Sequence, residues 1–241
     1  MDQPRTPYRL VTERLVLRCW EPADAPRWRA LLDRSDDHLR PWIPHMKQEP
    51  RSLLLTADWL REQRARFDRD EAHRYPVFDA DERVLLGEVC KFGRPHPVMR
   101  EIGYLLGKGH EGLGYAAEAS AALVRVAFEI EGVRRVLIHC AVENEASAAV
   151  ARRLGFELDA TLPDELVDGE GRCHDMLSFS LSAADYARSP LRSAGLAAFD
   201  CLGEPITSAV VAGGLLVLLG VWAVARGSAR QDRSYADGRR D

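Results

Sequence analysis

Apolar runs of strand length recur along this chain, separated by short polar turns. Residues 75–78 (YPVF) and 84–92 (VLLGEVCKF) flank Asp79-Ala80-Asp81-Glu82. Two such runs joined by a tight acidic turn read as a hairpin, hence antiparallel. Residues 100–106 (REIGYLL) continue the meander, and residues 135–142 (RVLIHCAV) form a further buried strand. Helical patterning covers residues 22–32, where Asp24 favours the start, and residues 53–67. An alanine-rich helix begins at about Tyr115. Another runs from a cap at Asn144 to Leu154, with Gly155 as its C′ residue.

The junction between the 100–106 strand and the Tyr115 helix carries the first chemical signal. The chain there passes through Gly112-Leu113-Gly114, so a strand stops at a glycine turn and restarts as a helix. Free backbone N–H groups converge on one spot, and the helix dipole adds partial positive charge. The result is an anion site suited to the phosphates of a nucleotide-like cofactor. The spacing Gly112-x-Gly114-x-x-Ala117 also matches a dinucleotide fingerprint, with Glu131 roughly 20 residues on as a ribose-binding acid. That fingerprint opens a βαβ unit, whereas the hairpin before this turn is antiparallel. A Gly-rich surface turn that holds nothing is the third reading.

Several stretches stand in one order: residues 12–18 (TERLVLR), 39–44 (LRPWIP), 101–106 (EIGYLL), the glycine turn, 144–147 (NEAS), 151–156 (ARRLGF), and the closing segment from Asp168-Gly169 to His174-Asp175-Met176-Leu177. Together they resemble the GNAT superfamily of acyl-CoA N-acetyltransferases. Within it they look most like the ribosomal-protein N-terminal acetyltransferase branch, over residues 8–186. The resemblance implies an α/β (α+β) fold with a mixed, mostly antiparallel central sheet. It also implies a splay between two parallel strands and helices on both faces. Acetyl-CoA is the implied cosubstrate, with no metal.

The family's pyrophosphate loop has Gln or Arg, two residues, Gly, one residue, then Gly or Ala. Here it falls on Glu111, Gly112, Leu113, Gly114, Tyr115 and Ala116, and Ala117 stands where Ser or Thr often adds a hydroxyl. Glu111 departs from the pattern, because an acid facing a diphosphate is unfavourable, although backbone amides bind regardless of side chain. By the same resemblance, the pantetheine arm would borrow backbone groups at Leu105 and Leu106 as an added strand. Asn144 would bond its amides from the other side, and Ser147 would face the sulfur or the adjacent arm.

Amine acetylation needs a neutral nucleophile. A chain N-terminus titrates at about 7.7–8.0 and a lysine at about 10.4, so an N-terminus needs less help. Glu101, at the head of its strand under the acetyl group, is the candidate general base, acting directly or through water. Glu88, in Gly87-Glu88-Val89, is the reserve. His110, His139 and His174 are each open to a relay role or a structural one. Many relatives place a tyrosine after the cofactor helix as acid; the helix after Asn144 contains none, so Ser147 is the donor in reach. Direct attack in a ternary complex fits. A Cys acyl-enzyme does not, because no cysteine has an adjacent base or a helix-start setting. The loop of residues 40–49 (RPWIPHMKQE) suits a wall of the acceptor cleft through Trp42 and His45 or Lys47, or a packed connector.

Composition adds an unexpected segment. With 241 residues, 46% apolar content and a net charge of −4, the chain holds one well-buried catalytic domain and something more. The mildly acidic balance gives a nucleic-acid partner no electrostatic support. Cysteines at positions 19, 90, 140, 173 and 201 show no CxxC spacing, so reduced thiols are expected and a metal site is not. The polar N-terminus has no signal-peptide core. Residues 205–225 carry no charge and match a bilayer crossing in length. A transmembrane helix is expected there, after a linker at 187–204 and before an Arg-rich polar tail at 226–241.

The tail's five arginines favour the cytoplasm, yet the catalytic domain must also stay with cytoplasmic acetyl-CoA. A crossing despite those arginines, with the catalytic domain cytoplasmic and membrane-anchored, is the favoured topology; a re-entrant segment is the other. Ala209 and Gly213 form a small-xxx-small pair that suits a homodimer. The expected activity is acetyl transfer to a primary amine, on a protein N-terminus or a small molecule. A silent acyl-CoA-binding module and a dinucleotide-binding oxidoreductase are the rivals.

Overall fold

In the computed structural model the described residues are 6–93, 96, 98–193 and 196–200, all within the compact unit Met1–Leu202. The chain runs β1 (Arg9–Thr12), β2 (Leu15–Arg18), α1 (Ala25–Leu39), α2 (Leu53–Asp68), β3 (Ala72–Asp79), β4 (Leu85–Gly93) and β5 (Met99–Leu106). It continues with α3 (Tyr115–Arg125), β6 (Arg135–Ala141), α4 (Glu145–Arg153), β7 (Glu157–Val167), β8 (Cys173–Ser182), α5 (Ala183–Arg188) and β9 (Leu196–Asp200). The strands form one nine-stranded sheet in the order β7-β8-β6-β5-β4-β3-β2-β1-β9. Every pairing is antiparallel except β5 with β6.

Strand alternation decides which residues meet which layer of helices. On β2, Leu15 and Leu17 join a buried cluster with α3 and α4, while Val16 joins a second cluster with α1. On β3, Tyr75 and Val77 go to the first cluster and Phe78 to the second. Helices therefore cover both faces. Trp20 and Trp28, each 1% exposed with ring centroids 4.9 Å apart, tie α1 to its face. Burial of each such ring contributes on the order of 2–3 kcal/mol.

The β3–β4 hairpin forms where the turn chemistry predicts it. Asp79 Oδ1 accepts the N–H groups of Arg83 at 2.7 Å and Val84 at 2.9 Å, which closes the turn. Helix α1 runs seven residues past the expected end at Leu32 because its buried stripe continues through Ser35 to Leu39. The polar run of residues 33–38 hides that stripe; Ser35 is 2% exposed and its Oγ accepts the N–H of Lys108 at 2.9 Å.

Within the stretch read from sequence as a linker, a 3-10 turn at Pro190–Ser193 is followed by β9, which pairs with β1 at the sheet edge. That pairing joins Arg9 to Asp200, a contact no local pattern signals. The expected membrane helix at 205–225 and the tail at 226–241 lie outside the described residues. Among the described residues, no helix is long and apolar enough to cross a membrane.

Candidate active site

Strands β5 and β6 pair through three register positions, ending at Glu101↔Leu137, although both strands continue. Beyond that point residues 102–106 and 138–141 face each other with no shared ladder. The sheet is open there, and a cleft of about 490 Å³ passes between side chains of both faces. An unpaired strand edge inside a sheet is a template for an extended ligand.

Register fixes what lines each side. Glu101 sits opposite Leu137, so His139, two residues further on, shares its face. Ser178 is opposite His139 in the β6–β8 register. The result is a chain of contacts: His139 Nδ1 lies 3.2 Å from Glu101 Oε1, and His139 Nε2 lies 3.1 Å from Ser178 Oγ. The same parity brings Phe92, Cys90 and Glu88 of β4 and Arg74 of β3 to this face. Glu88, 2% exposed, accepts Trp20 Nε1–H at 2.8 Å and Arg74 Nη1–H at 2.5 Å. Burial opposes the Arg74 charge, but Glu88 more than offsets it and raises the guanidinium pKa. His45, on the loop after α1, is pushed down to about 4 by burial and then by Arg74 and Arg51, so it is neutral.

The opposite parity leads to α4. Tyr104 Oη stands 2.9 Å from Ser147 Oγ and donates to Ser147 O at 2.9 Å. Burial pushes this phenol far above its ordinary range, against the lowering effect of the Ser147 bond, so it stays protonated. Ser147 N in turn donates to Asn144 Oδ1 at 3.0 Å, the cap that starts α4. Burial also pushes the Cys90 thiol up to about 12 and raises Cys140, leaving no thiolate in the cleft for an acyl-enzyme.

The glycine turn lies at the start of α3. Gly112 and Gly114 have φ of +71° and +83°, a region open to glycine, and Gly114 caps α3 without any side-chain hydrogen bond. No side chain at Gly114 therefore caps the first turn of α3. A Cβ on Gly114 would meet Arg14 Nη2 at 3.4 Å and Arg153 Nη1 at 3.9 Å, so two guanidiniums converge over the turn. Arg14 also donates to Leu113 O at 3.0 Å and pairs with Glu118 at 2.7 Å. Arg153 has no carboxylate partner among the described residues. Glu111 folds back, accepting Gly109 N–H at 2.5 Å and facing His38 Nε2 at 3.2 Å. Burial would raise its pKa, but the loop's own N–H groups and His38 more than offset that and lower it.

Residues 14–157 match the acetyltransferase (GNAT) domain family. The chain belongs to that family. A Bacillus subtilis (strain 168) protein provisionally named the ribosomal N-acetyltransferase YdaF is 33% identical over 183 residues, covering 71% of this chain and 92% of that one. The ribosomal protein uS5-alanine N-acetyltransferase of Escherichia coli (strain K12) is 30% identical over 179 residues, covering 69% and 87%. Among solved structures, a ribosomal L7/L12 alpha-N-protein acetyltransferase in complex with coenzyme A aligns with a TM-score of 0.66 over 73% of this chain and 97% of that one. At 24% identity that likeness shows the shared GNAT fold alone.

For a GNAT enzyme the geometry sorts the expected residues. Trp42, His45, Glu88, Glu101, Leu105, Asn144 and Ser147 line one cleft. Leu106 extends the open β5 edge, and residues 111–116 make up the glycine turn that leads into α3. Ala117 is 8% exposed and packs into the core, so a hydroxyl there would not face a ligand from the surface. The turn does open a β5–α3–β6 crossover, but the proposed ribose acid is engaged elsewhere. Glu131 pairs with Lys91, accepts Arg100 Nε–H at 2.8 Å and accepts Thr6 Oγ1–H at 2.9 Å, which removes the dinucleotide reading. His110 is a loop residue outside the cleft, and His174 bonds Asp168 instead. The uncapped helix start and the two guanidiniums fit a diphosphate. Sequence reasoning missed Arg14, Arg153, Arg74 and Tyr104. Only the parity of EIGYLL, which sets Tyr104 on the Ile102 face towards α4, carried a signal for any of them.

Proposed function

We propose that this GNAT enzyme transfers an acetyl group from acetyl-CoA to the α-amino group of a protein N-terminus, by direct attack across the β5–β6 opening. The observation that supports this most is the division of labour between the two faces: a carboxylate–imidazole pair on one and a phenol–hydroxyl pair on the other. The relatives' names, which include an alanine N-terminal acetyltransferase of a ribosomal protein, support a protein acceptor.

Acetyl-CoA supplies the acetyl group as a thioester. The α3 N–H groups with Arg14 and Arg153 hold its diphosphate, and the open edge at Leu105 and Leu106 aligns its arm. Glu101 takes the proton of the attacking amine. His139 fixes that carboxylate by donating Nδ1–H to it while Nε2 accepts from Ser178, which selects one tautomer. Main-chain N–H groups on the open β5 edge stabilise charge on the acetyl oxygen. As the C–S bond breaks, the Tyr104 phenol turns from Ser147 O to Ser147 Oγ and that hydroxyl passes a proton to the leaving sulfur; solvent then takes the proton held by Glu101 and reprotonates Tyr104. In the same reading, residues 205–225 anchor the enzyme to a membrane with its catalytic domain in the cytoplasm, and Ala209 and Gly213 let two such helices pair. Cell fractionation and crosslinking of the full chain test the anchor and the pair.

Transfer of labelled acetyl groups from acetyl-CoA to peptides with free N-termini tests the activity. Peptides with blocked N-termini and free lysines should remain unlabelled. Binding of acetyl-CoA without any turnover on an acceptor panel would leave only a silent binding module.

A further inference from the structure

Strand β7 loses its register with β8 between Leu162 and Leu166. Leu162 stands opposite Met176 and Leu166 opposite His174, so residues 163–165 face Asp175 alone. Asp164, within that bulge, has φ of +53°, in the left-handed region, and donates its N–H to Asp175 Oδ1 at 3.1 Å. Bulges bend a strand and re-aim a side chain, and they are over-represented beside active sites.

The side chain re-aimed here is Glu165, an exposed carboxylate that lines the same cleft as Glu101. Its wall is fixed, because Gly169 N–H, four residues on, bonds Arg40 O at 2.9 Å and ties the end of β7 to the loop carrying Trp42. Among the described residues Glu165 has no ion-pair partner. Arg172, in the turn after β7, is taken by Asp168 and Glu170, each at 2.9 Å. Of the cleft's own basic groups, Arg74 is spent on Glu88 at 2.5 Å, burial keeps His45 neutral, and His139 is engaged with Glu101 and Ser178. A cation for Glu165 must therefore arrive with a ligand.

Register gives the reach. Ser178, which bonds His139, lies four residues along β8 from His174, the level of Leu166. That is roughly 13 Å along the strand. An extended peptide gains about 3.3–3.6 Å per residue, and two long side chains close the remainder. With its amine at Glu101, an acceptor thus brings its second or third side chain to Glu165. Leu166 and Val167 line the cleft beside it, an apolar bed for the stem of a lysine or arginine whose charged end stays out.

We propose that Glu165 selects acceptors with a lysine or arginine at the second or third residue, by pairing its carboxylate with that cation. The inference rests on the acetyltransferase reading and narrows its acceptor. The competing occupant is a small diamine, which carries a second cation without any peptide.

The test uses the full chain, acetyl-CoA and peptides that differ only in a second residue of lysine, glutamine or glutamate, with a matching set at the third. At low salt kcat/KM should be roughly twofold to fivefold higher for lysine than for glutamine, through KM, and lowest for glutamate. The preference should shrink as salt rises, because an exposed pair is screened. Glu165→Gln should bring lysine and glutamine level, and Glu165→Lys should reverse the order of lysine and glutamate, which a merely structural role would not do. Equal kcat/KM for lysine and glutamine at both positions, or a lysine preference that survives in Glu165→Gln, overturns the proposal. Faster acetylation of 1,4-diaminobutane than of the lysine peptides overturns it too. A separate arm measures equilibrium binding of the same peptides, and equal affinities count against Glu165 in the same way. If no peptide is acetylated, the acetyltransferase reading fails instead, and the binding arm still judges Glu165.

Discussion

Tyr104 Oη lies 2.9 Å from both the main-chain oxygen and the hydroxyl of Ser147, which joins β5 to the start of α4 across the cleft. The phenol is buried and protonated, and the hydroxyl next to it can pass its proton on. Tyr104→Phe should lower kcat by roughly ten- to a hundredfold with little change in KM for acetyl-CoA. Ser147→Ala should do the same, and the double variant should cost little more, because residues acting as one unit are not additive. Full kcat in Tyr104→Phe would remove the phenol from the reaction.

Glu101 and His139 form the matching pair on the other face of the cleft. Glu101→Gln should reduce kcat/KM by roughly 10²–10³ while acetyl-CoA still binds. His139→Leu should lose less, because the carboxylate remains but is no longer held. His139→Gln, which can still donate a hydrogen bond, should regain part of that loss. Equal rates in the two His139 variants would show that the contact at 3.2 Å does not position the base. Steady-state kinetics on one peptide acceptor separates these cases.

The anion turn gives a test that needs no acceptor. Gly114 sits at φ +83°, where a β-branched residue is strained, and its side chain would occupy the space beneath Arg14 and Arg153. Gly114→Val should abolish acetyl-CoA binding in calorimetry while the protein still melts cooperatively. Arg153→Ala should weaken binding by roughly threefold to tenfold and make it less sensitive to salt, since an exposed guanidinium acts through screened charge. Unchanged affinity in Gly114→Val would place the diphosphate elsewhere.

What could be read from sequence was local. The acidic hairpin turn, the Asn144 cap and the glycine turn each carry their geometry in a few adjacent residues. The Glu101–His139 pair was out of reach, because it depends on the parallel register of β5 and β6, strands separated by the whole of α3. Tyr104 was overlooked for a similar reason: its partner lies on a helix 43 residues away. Glu88 looked like a spare base, but both of its oxygens are taken by Trp20 and Arg74, side chains from distant parts of the chain. The end of α1 was misjudged because one buried serine, Ser35, stands in for an apolar residue.

The β7–β8 turn offers a last test, through stability rather than rate. Asp168 is fully buried and accepts Arg172 Nε–H at 2.9 Å, with His174 Nε2 at 3.0 Å, while His174 Nδ1 lies 3.4 Å from Glu143 Oε2. Next to it, Gly169 N–H bonds Arg40 O at 2.9 Å, and a Cβ on Gly169 would fall 2.7 Å from that oxygen. The turn is thus locked onto the loop that carries Trp42 and His45. The bond to Asp168, with Glu143 beside it, raises the His174 pKa above its ordinary 6.5 despite some desolvation. Desolvation would raise the Asp168 pKa, but His174 and Arg172 more than offset it and hold it below its ordinary 3.8. A raised histidine pKa stabilises the fold fully below 6.5, and that stabilisation fades as pH climbs through the folded value. The depressed carboxylate contributes above 3.8 and loses its effect as pH falls through its folded value. The lock is therefore strongest between those limits. Thermal melts at about pH 5 and about pH 9 should show His174→Gln lowering Tm more at the acid end, in line with that linkage. A Tm difference that stays constant or widens towards alkaline pH would mean that His174 holds the turn as a neutral ring.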